Sequence, residues 1–241
     1  MATQVKHVFV VTSAVNSKFG VYTPEQRLQQ TLDSIASIRK YAPGAKVAIV
    51  EMCGTPPTPE QITTVKSQVD YYFDYSNDDS VQAIYNSTDN WDVVKNTTEV
   101  MIFGNLLGRL IEANVVGDFD RIYKMSGRYL LTENFNPEFY ETVPERIVVL
   151  ERKGSQFPPH VTNGMQYQYM SRLWSWPANQ TIKVAEAYSE GFIAMALRIA
   201  QGGYFDIEHM LFKYLPAELV TEIPRVGLTG LLGPNGVCVE D

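Results

Sequence analysis

The sequence predicts an α/β protein with a mostly parallel central sheet flanked by helices. Three observations support this class: β-branched apolar runs alternate with amphipathic segments over about the first 75 residues, two helices open with the same Thr-Pro-Glu-Gln, and every apolar run has the length of a strand. Strands joined by single helices become parallel through right-handed crossovers. With 241 residues, 45% of them hydrophobic and 20% charged, we expect one domain over 1–241 with one sizeable core.

The first strand–helix unit carries the clearest local signals. The run HVFVVTSAV (His7–Val15) is β-branched and ends in small polar residues. Thr23 is a predicted N-cap, Pro24 fits the first helical position, and Gln26 completes a capping box. Apolar residues then recur every three or four positions until Pro43-Gly44, which predicts the end of the helix.

The following segments repeat this alternation. Lys46–Met52 predicts the second strand, TPEQITTVKSQV (58–69) the second helix, and Asp70–Tyr75 the third strand. Polar residues 76–90 predict a loop, and the apolar spacing over 97–115 predicts a long helix. Downstream we predict a fourth strand at 121–125, strands at 145–154 and 163–177, helices at 183–203 and 206–216, and a glycine-rich tail with a short hairpin.

Charge and cysteine content exclude several functional classes. The net charge of −7 and the pI of about 5.1 argue against nucleic-acid binding, which requires a basic face. The two cysteines are far apart and lack metal-site spacing, which fits a reducing compartment. No run approaches the ~20 apolar residues of a membrane span. We therefore expect a cytoplasmic protein without a transmembrane segment.

Polar residues follow several of the predicted strands. In open α/β sheets, ligands bind beyond the carboxyl ends of the strands, where the strand order switches. The residues at those ends are Thr12 and Ser13, Glu51, Asp74, and the segment 126–129. Their hydroxyls, carboxylates and arginine suit a ligand with sugar or base hydroxyls and a phosphate. Alternatively, Glu51 and Asp74 only cap neighbouring turns.

Five segments in family order carry a resemblance to a known family. They are YTPEQRLQQTLDSIASIR, KNTTEVMIF, YKMSGRYLL, GGYFDIEHMLFKYL and GLTGLLGPNG. The chain resembles nucleotide-sugar glycosyltransferases of the GT-A fold, and more closely small viral and bacterial proteins with a K-x-SGRY segment. The resemblance implies a Rossmann-like GT-A fold, a nucleotide-sugar donor, and a glycan or small-molecule acceptor. It also implies a nucleotide-binding half at 1–135 and an acceptor or catalytic half at 136–241.

The sequence departs from this family at the metal motif. Most GT-A enzymes end the fourth strand in Asp-x-Asp, which holds Mn²⁺ or Mg²⁺, whereas this chain has Ser126-Gly127-Arg128. The segment Asp118-Phe119-Asp120 precedes the strand and so lies at the wrong end of the sheet. The acids of Asn77–Asp79 follow the third strand and are a slightly better candidate. No metal ligand is assigned, and Mn²⁺ or Mg²⁺ stays open.

An arginine can replace a metal at a diphosphate. The guanidinium of Arg128 offers planar donors that suit phosphate oxygens. Gly127 would allow close backbone approach, Ser126 would donate a further hydrogen bond, and Lys124 alternates onto the same side of the strand. Some GT-A families are metal-independent and use basic side chains in this way. Alternatively, Arg128 pairs with Glu133 or another surface acid.

The resemblance implies that the acidic segment YFDIEHM supplies the catalytic base. Glu208 is the first candidate, Asp206 the second and Glu190 the third. Asp206 is also a natural N-cap. His209 could ligate a metal or contact phosphate, although a lone helical histidine more often packs or caps.

Further residues are candidates for substrate binding. Arg27 belongs to the segment after the first strand, and the resemblance places Lys95 and Glu99 near the donor, although their spacing also fits a simple helical ion pair. Arg172 could contact an anionic group. Nearby aromatic residues could stack on a sugar ring or, more commonly, pack in the core: Tyr167, Tyr169, Trp174 and Trp176.

The leading hypothesis is a glycosyltransferase in which Arg128 stabilises the diphosphate, Glu51 and Asp74 hold base or ribose, and Glu208 is the base. Two alternatives remain. One is a non-catalytic protein of the same fold that binds nucleotide or glycan, and the other is a nucleotidyltransferase. The sequence contains no GxGxxG segment after the first strand and no GxxxxGK[ST] segment, which disfavours dinucleotide and P-loop chemistry.

Overall fold

A seven-stranded sheet lies at the centre of the computed structural model, which describes residues 6–233 and 235–241. The twelve strands are β1 (His7–Ser13), β2 (Lys46–Glu51), β3 (Tyr71–Asp74), β4 (Arg121–Ser126), β5 (Tyr129–Leu131), β6 (Ile147–Leu150), β7 (Lys153–Gly154), β8 (Tyr167–Gln168), β9 (Leu173–Pro177), β10 (Val220–Ile223), β11 (Leu228–Leu231) and β12 (Cys238–Glu240). The seven α-helices of the described residues are α1 (Pro24–Tyr41), α2 (Pro59–Lys66), α3 (Asp79–Ser87), α4 (Trp91–Glu112), α5 (Pro137–Thr142), α6 (Thr181–Ala200) and α7 (Ile207–Tyr214).

The central sheet has the strand order β10-β6-β9-β4-β1-β2-β3. Only β9 runs antiparallel to its neighbours in this sheet, and the other described pairs are parallel. The predicted α/β class with a mostly parallel sheet is therefore confirmed. The order reverses between β1 and β4, where Thr12 and Ser126 are register partners. Their carboxyl ends form the crevice expected at a switch in strand order.

The first two helices begin as their sequences predict. Thr23 caps α1 and Thr58 caps α2, and each threonine forms a complete capping box with the glutamine three residues later. Such reciprocal bonds satisfy backbone groups that have no partner within the helix. The two helices therefore begin at Pro24 and Pro59 for the same local reason.

The predicted loop over 76–90 was wrong in part, because it contains α3. Asp78 caps this helix by accepting a hydrogen bond from the Ser80 amide, and Val81 and Tyr85 bury one face four residues apart. The long helix α4 also begins six residues earlier than predicted, at Trp91, because the Asn90 side chain accepts from two backbone amides of the first turn.

The second half differs from the prediction in its strand boundaries. The predicted strand over 145–154 is divided: Ile147–Leu150 lies in the central sheet, whereas Lys153–Gly154 pairs with β8 in a separate ladder. The predicted strand over 163–177 likewise becomes β8 and β9. The tail forms the predicted hairpin, and β11 also pairs with β5, which attaches the tail to the end of β4.

Both faces of the central sheet are buried against helices or loops. Trp174 and Trp176 of β9 are 1% and 0% exposed, and their ring centroids lie 4.7 Å apart. These two tryptophans therefore pack in the core and are not available to stack on a sugar ring. No helix of the described residues has both the length and the apolar character needed to cross a bilayer.

Candidate functional site

A pocket of about 380 Å³ opens at the carboxyl ends of β1 and β4. Thr12 and Ser126 lie at its centre, and the loop after β1, the starts of α4 and α7, and the segment after β11 form its walls. Ten of the residues named in the sequence analysis of the site line this pocket: Thr12, Arg27, Lys95, Glu99, Ser126, Arg128, Tyr129, Arg172, Asp206 and Glu208. The chain therefore brings together residues up to about 200 positions apart at the switch in strand order.

Two arginines on one side of the pocket lack a counter-ion. Arg27 is 7% exposed and Arg128 is half-buried, and neither forms an ion pair within residues 6–233 and 235–241. The Nε atom of each is buried without a hydrogen-bond partner. Burial lowers the pKa of Arg27, and repulsion from Arg128 lowers it further. One buried and one half-buried cation that repel each other form a site for an anion.

Two glycines allow the pocket loops to approach these arginines. A Cβ atom at Gly233 would lie 3.3 Å from Cζ of Arg128, and one at Gly20 would lie 2.7 Å from Nη2 of Arg27. The Gly20 backbone has φ of +92°, which disfavours other residues. Because the Val21 amide donates to the Gly233 carbonyl at 3.3 Å, the two loops are also joined to each other.

Gly127 lies in the turn between β4 and β5, beside the pocket. It does not line the pocket, and its amide donates to the Thr12 carbonyl at 2.9 Å. A Cβ atom there would lie 3.1 Å from the same carbonyl oxygen. The glycine therefore allows the end of β4 to turn closely against β1, which places the neighbouring Arg128 at the pocket.

Arg172 lines the pocket, but its charge is compensated. Its Nη1 atom donates to the carboxylate of Asp241, which also accepts from Lys153 at 3.2 Å. Burial disfavours the charged guanidinium, but Asp241 outweighs burial and raises the pKa of Arg172. The Tyr129 ring lies between the two arginines, 5.8 Å from Cζ of Arg172 and 5.9 Å from Cζ of Arg128. Arg172 is therefore less available to an anion than Arg128.

Asp206, which lines the pocket at the start of α7, is fully engaged as the N-cap of that helix. It accepts from the His209 amide at 3.1 Å, from His209 Nδ1 at 2.6 Å, and from Gln156 Nε2 at 2.7 Å. Burial opposes ionisation of Asp206, but the charge and hydrogen bonds of His209, together with the bond from Gln156, outweigh burial and lower the pKa. A carboxylate with a low pKa and three donors is a weak base, so we interpret Asp206 as a structural cap.

Glu208 is the carboxylate with the properties of a base. It is half-buried in the first turn of α7 and accepts one bond from the Ser171 hydroxyl, at 2.5 Å. Burial raises the pKa of Glu208, the negative charge of Asp206 raises it further, and Lys95 opposes both effects. A carboxylate with a raised pKa that lines a pocket accepts a proton more readily than an exposed one.

The predicted helical ion pair between Lys95 and Glu99 does not form in the described structure. Glu99 instead pairs with the fully buried Lys124 at 2.5 Å and accepts from Thr12 at 3.1 Å. Lys124 also donates to Ser126 Oγ at 3.0 Å. Burial raises the pKa of Glu99, but Lys124, Lys95 and the hydrogen bond from Thr12 together outweigh burial, so the pKa is lowered. Lys124 does not line the pocket. Its ion pair with Glu99 joins β4 to α4.

Three other predicted residues lie outside the pocket lining. Glu51 is 1% exposed and accepts from Ser13 Oγ at 2.8 Å and from the Cys53 amide at 3.1 Å, and burial raises its pKa to about 7. Asp74 accepts from the amide and hydroxyl of Ser76. These bonds agree with the alternative stated for Glu51 and Asp74, in which the two carboxylates cap neighbouring turns, and Ser13 is the donor to Glu51.

The buried His209 completes a Ser-His-Asp arrangement. Its Nδ1 lies 2.6 Å from Asp206 and its Nε2 lies 2.8 Å from Ser155 Oγ, so both ring nitrogens are engaged. The Ser155 hydroxyl, however, also donates to the Phe157 carbonyl at 2.7 Å and accepts from the Phe157 amide at 3.0 Å. We therefore interpret this chain of bonds as support for Asp206 and Gln156 at the pocket wall.

The acidic motifs considered for a metal lie elsewhere. Asp120 accepts from the Lys6 amide at 2.7 Å, at the amino end of β4, and Asp78 caps α3. In the described part of the chain, no three His, Cys, Asp or Glu side chains group as metal ligands do. Because Glu99 and Asp206 are already engaged, the pocket carboxylates do not fit a metal site built by the protein alone.

The structure adds pocket residues that the sequence analysis missed. Trp91 and Asp92 lie at the start of α4, Tyr85 lies on α3, and Gln156 follows β7. Trp91 and Asp92 could have been found from Asn90, because an asparagine is a favourable N-cap and the helix then begins at Trp91, beside the pocket. The candidate base Glu190 is exposed on α6 and does not line the pocket.

The comparisons with known proteins concern sequence and structure. No protein-family model matches the sequence, and no curated protein matches it. The structure is similar to that of core-mannan synthase A from Aspergillus fumigatus in its Mn/GDP form. The TM-score is 0.52 at 9% sequence identity, and the match covers 92% of this chain and 73% of that chain. At this identity the similarity shows the fold, and we conclude that the chain has a GT-A-type α/β fold.

Proposed function

We propose that the protein is a glycosyltransferase that moves a sugar from a nucleotide-sugar donor to a glycan or small-molecule acceptor. One observation carries this proposal: Arg27 and Arg128 interact in a pocket at the switch in strand order, and neither has a counter-ion among residues 6–233 and 235–241. The fold supports it, because the structurally similar protein is by its name a mannan synthase in a form with Mn and GDP. Because that structure contains GDP, nucleoside diphosphates and their sugars are the ligands to test with this protein.

The guanidinium of Arg128 would bind the diphosphate and stabilise the charge that develops when the sugar leaves. Its planar donors can contact two phosphate oxygens, and a pocket that excludes water strengthens such contacts. Arg27 would share this charge, and Ser126 Oγ, which lines the pocket, would donate a further hydrogen bond. We assign no step to a metal, because the pocket carboxylates do not group as metal ligands do.

Glu208 would accept the proton of the acceptor hydroxyl as that oxygen attacks the sugar. A general base must be ionised and must lie within hydrogen-bond reach of the proton that it removes. Glu208 lines the pocket and has one hydrogen-bond donor, Ser171, whereas Asp206 has three. In this proposal the donor binds to Arg27, Ser126 and Arg128 of the 1–135 half. The acceptor binds beside Glu208 of the 136–241 half and beside the start of α4, although α4 belongs to the 1–135 half.

The proposal is tested by calorimetry combined with a hydrolysis assay. The protein is titrated with UDP-, GDP-, CMP- and TDP-sugars, with and without Mn²⁺, and free sugar is measured after prolonged incubation. Binding of one donor with slow release of its sugar supports the glycosyltransferase. Binding without release, also in the presence of acceptor sugars, supports a non-catalytic nucleotide-binding protein. Absence of binding across the panel contradicts the proposal.

A further inference from the structure

An exposed tryptophan lies at the edge of the pocket. The chain has three tryptophans, and Trp174 and Trp176 are almost fully buried, whereas Trp91 is 39% exposed. Trp91 is the first residue of α4, where the Asn90 cap fixes the backbone, and its side chain lines the pocket. Its ring pairs with no other aromatic ring of the described residues. A large apolar surface that is left open beside a polar pocket is available to a ligand.

The residue after Trp91 supplies a free carboxylate. Asp92 is half-buried and lines the pocket, and its side-chain oxygens accept no hydrogen bond and form no ion pair in the described part of the chain. Burial raises its pKa, Lys95 opposes this effect, and Asp206 adds to it. A restricted carboxylate without a protein partner gains most from ligand hydroxyls that replace lost water.

We propose that Trp91 and Asp92 form a binding subsite for a neutral sugar ring of the acceptor. A pyranose ring has one apolar C–H face, which can pack on the indole, and equatorial hydroxyls at its rim, which can donate to the carboxylate. Glu208 lines the same pocket, so a sugar held there would present a hydroxyl toward the candidate base. The assignment of this sugar to the acceptor rests on the proposed function, whereas the sugar subsite itself does not.

The charges around this subsite favour a sugar over a nucleotide. Lys95 is the cation that acts on Asp92, but its charge is shared with Glu99 and Glu208, and Asp206 adds a further negative charge. The carboxylates thus outnumber the cation around this subsite, so a phosphate there would be repelled. The guanidinium groups of Arg27 and Arg128, which form no ion pair with another described residue, are the groups that attract phosphate. A nucleobase stacked on Trp91 is the competing occupant, and the experiment separates the two.

The test uses the fluorescence of the intact protein. Acrylamide quenches exposed indoles, so in this chain it reports mainly on Trp91. Quenching is measured with maltose, lactose, chitobiose and mannobiose, and separately with GDP and UDP. We expect at least one disaccharide to reduce the quenching and the free nucleotides to leave it unchanged. Shielding by nucleotides alone would assign Trp91 to base stacking and overturn the proposal, as would no shielding by any sugar.

Variants show whether Trp91 itself binds the sugar. We expect Trp91→Ala to weaken binding of the shielding disaccharide at least tenfold by calorimetry, and Trp91→Phe to retain most of it. Tyr71→Ala is the matched control, because Tyr71 is 38% exposed on the edge strand β3 and does not line the pocket. Equal disaccharide affinity in Trp91→Ala and Tyr71→Ala would contradict the subsite. Far-ultraviolet circular dichroism of each variant checks folding.

The outcomes also separate this inference from the proposed function. Disaccharide binding at Trp91 together with silence across the nucleotide-sugar panel would leave a glycan-binding site and remove the transferase. Donor hydrolysis without sugar binding at Trp91 would support the transferase and remove this subsite.

Discussion

The two sides of the pocket differ in how their charges are compensated. On the cationic side, Arg27 and Arg128 have no counter-ion among the described residues, and each has a buried Nε without a partner. On the acidic side, Asp206 is held by three donors, and Glu208 keeps one donor and a raised pKa. The two guanidinium groups thus lack an anion that a ligand can supply, whereas Asp206 has its hydrogen-bond donors without a ligand.

This difference gives a bound ligand a direction. An anionic group gains most beside the two guanidinium groups and loses energy near the carboxylates. A neutral polyhydroxyl group can bind on the acidic side, where Asp92 and Glu208 accept hydrogen bonds. We therefore expect the cationic side to determine affinity for the nucleotide and the acidic side to determine the rate of transfer.

Removing the proposed base is expected to have the largest effect. In Glu208→Gln, transfer slows by about 100-fold to 10,000-fold because general base catalysis is lost, while nucleotide affinity stays within twofold. In the unsubstituted protein the rate falls as the pH drops through the raised pKa of Glu208, because protonation removes the base; the variant lacks this dependence. Steady-state rates and calorimetry across pH measure both quantities.

Glu190→Gln is the matched control, since Glu190 is an exposed glutamate outside the pocket. A Glu208→Gln variant that transfers sugar at the rate of this control would remove Glu208 from the mechanism and weaken the distinction between the two sides.

Removing a cation is expected to have the next largest effect, and this effect is on the affinity for the nucleotide. In Arg128→Ala, we expect the dissociation constant of the nucleoside diphosphate to rise about tenfold to 100-fold, which corresponds to loss of a charge-assisted contact of ~1.5–3 kcal/mol. Arg109→Ala is the control, because Arg109 is exposed on α4 outside the pocket. Calorimetry gives the affinity and thermal unfolding checks the fold. Unchanged affinity in a folded variant would refute the anion site.

Freeing a third cation is expected to have the smallest effect. In Asp241→Asn, Arg172 loses its counter-ion, so we expect nucleoside diphosphate to bind about twofold to fivefold more tightly at low salt, because partly exposed charges contribute ~0.3–1 kcal/mol. The effect should decline as salt is added. Glu240→Gln, at the exposed neighbouring residue, is the control. Weaker binding in Asp241→Asn would mean that the ion pair positions Arg172 for the ligand.

The sequence predicted those parts of the fold that depend on local signals. The capping boxes at Thr23 and Thr58 and the alternation of strands and helices determined the first half of the sheet. The position of Thr12 and Ser126 at strand ends followed from the same alternation, so the location of the pocket was also predictable. Helix α3 was not predicted because it is short and because its N-cap, Asp78, lies in a polar segment beside another acid, Asp79.

The partners of charged residues were not predictable, because they depend on pairs distant in sequence. Glu99 pairs with Lys124 rather than Lys95, and Asp241 pairs with Arg172, 69 residues away. Glu51 and Glu99 are both buried, but Glu51 forms no ion pair with any described residue, and burial raises its pKa to about 7. Glu99 pairs with Lys124, and its pKa is lowered. Only the packed structure distinguishes a carboxylate that can act from one that holds a turn.

The buried pair Trp174 and Trp176 has a consequence for spectroscopy. Their rings are 4.7 Å apart and inclined by 31°. Two identical chromophores held at such a distance and angle couple their electronic transitions, which produces adjacent circular dichroism bands of opposite sign. Since β9 is the strand between β4 and β6, this couplet would follow the integrity of the middle of the sheet, separately from any optical change at the mouth of the pocket.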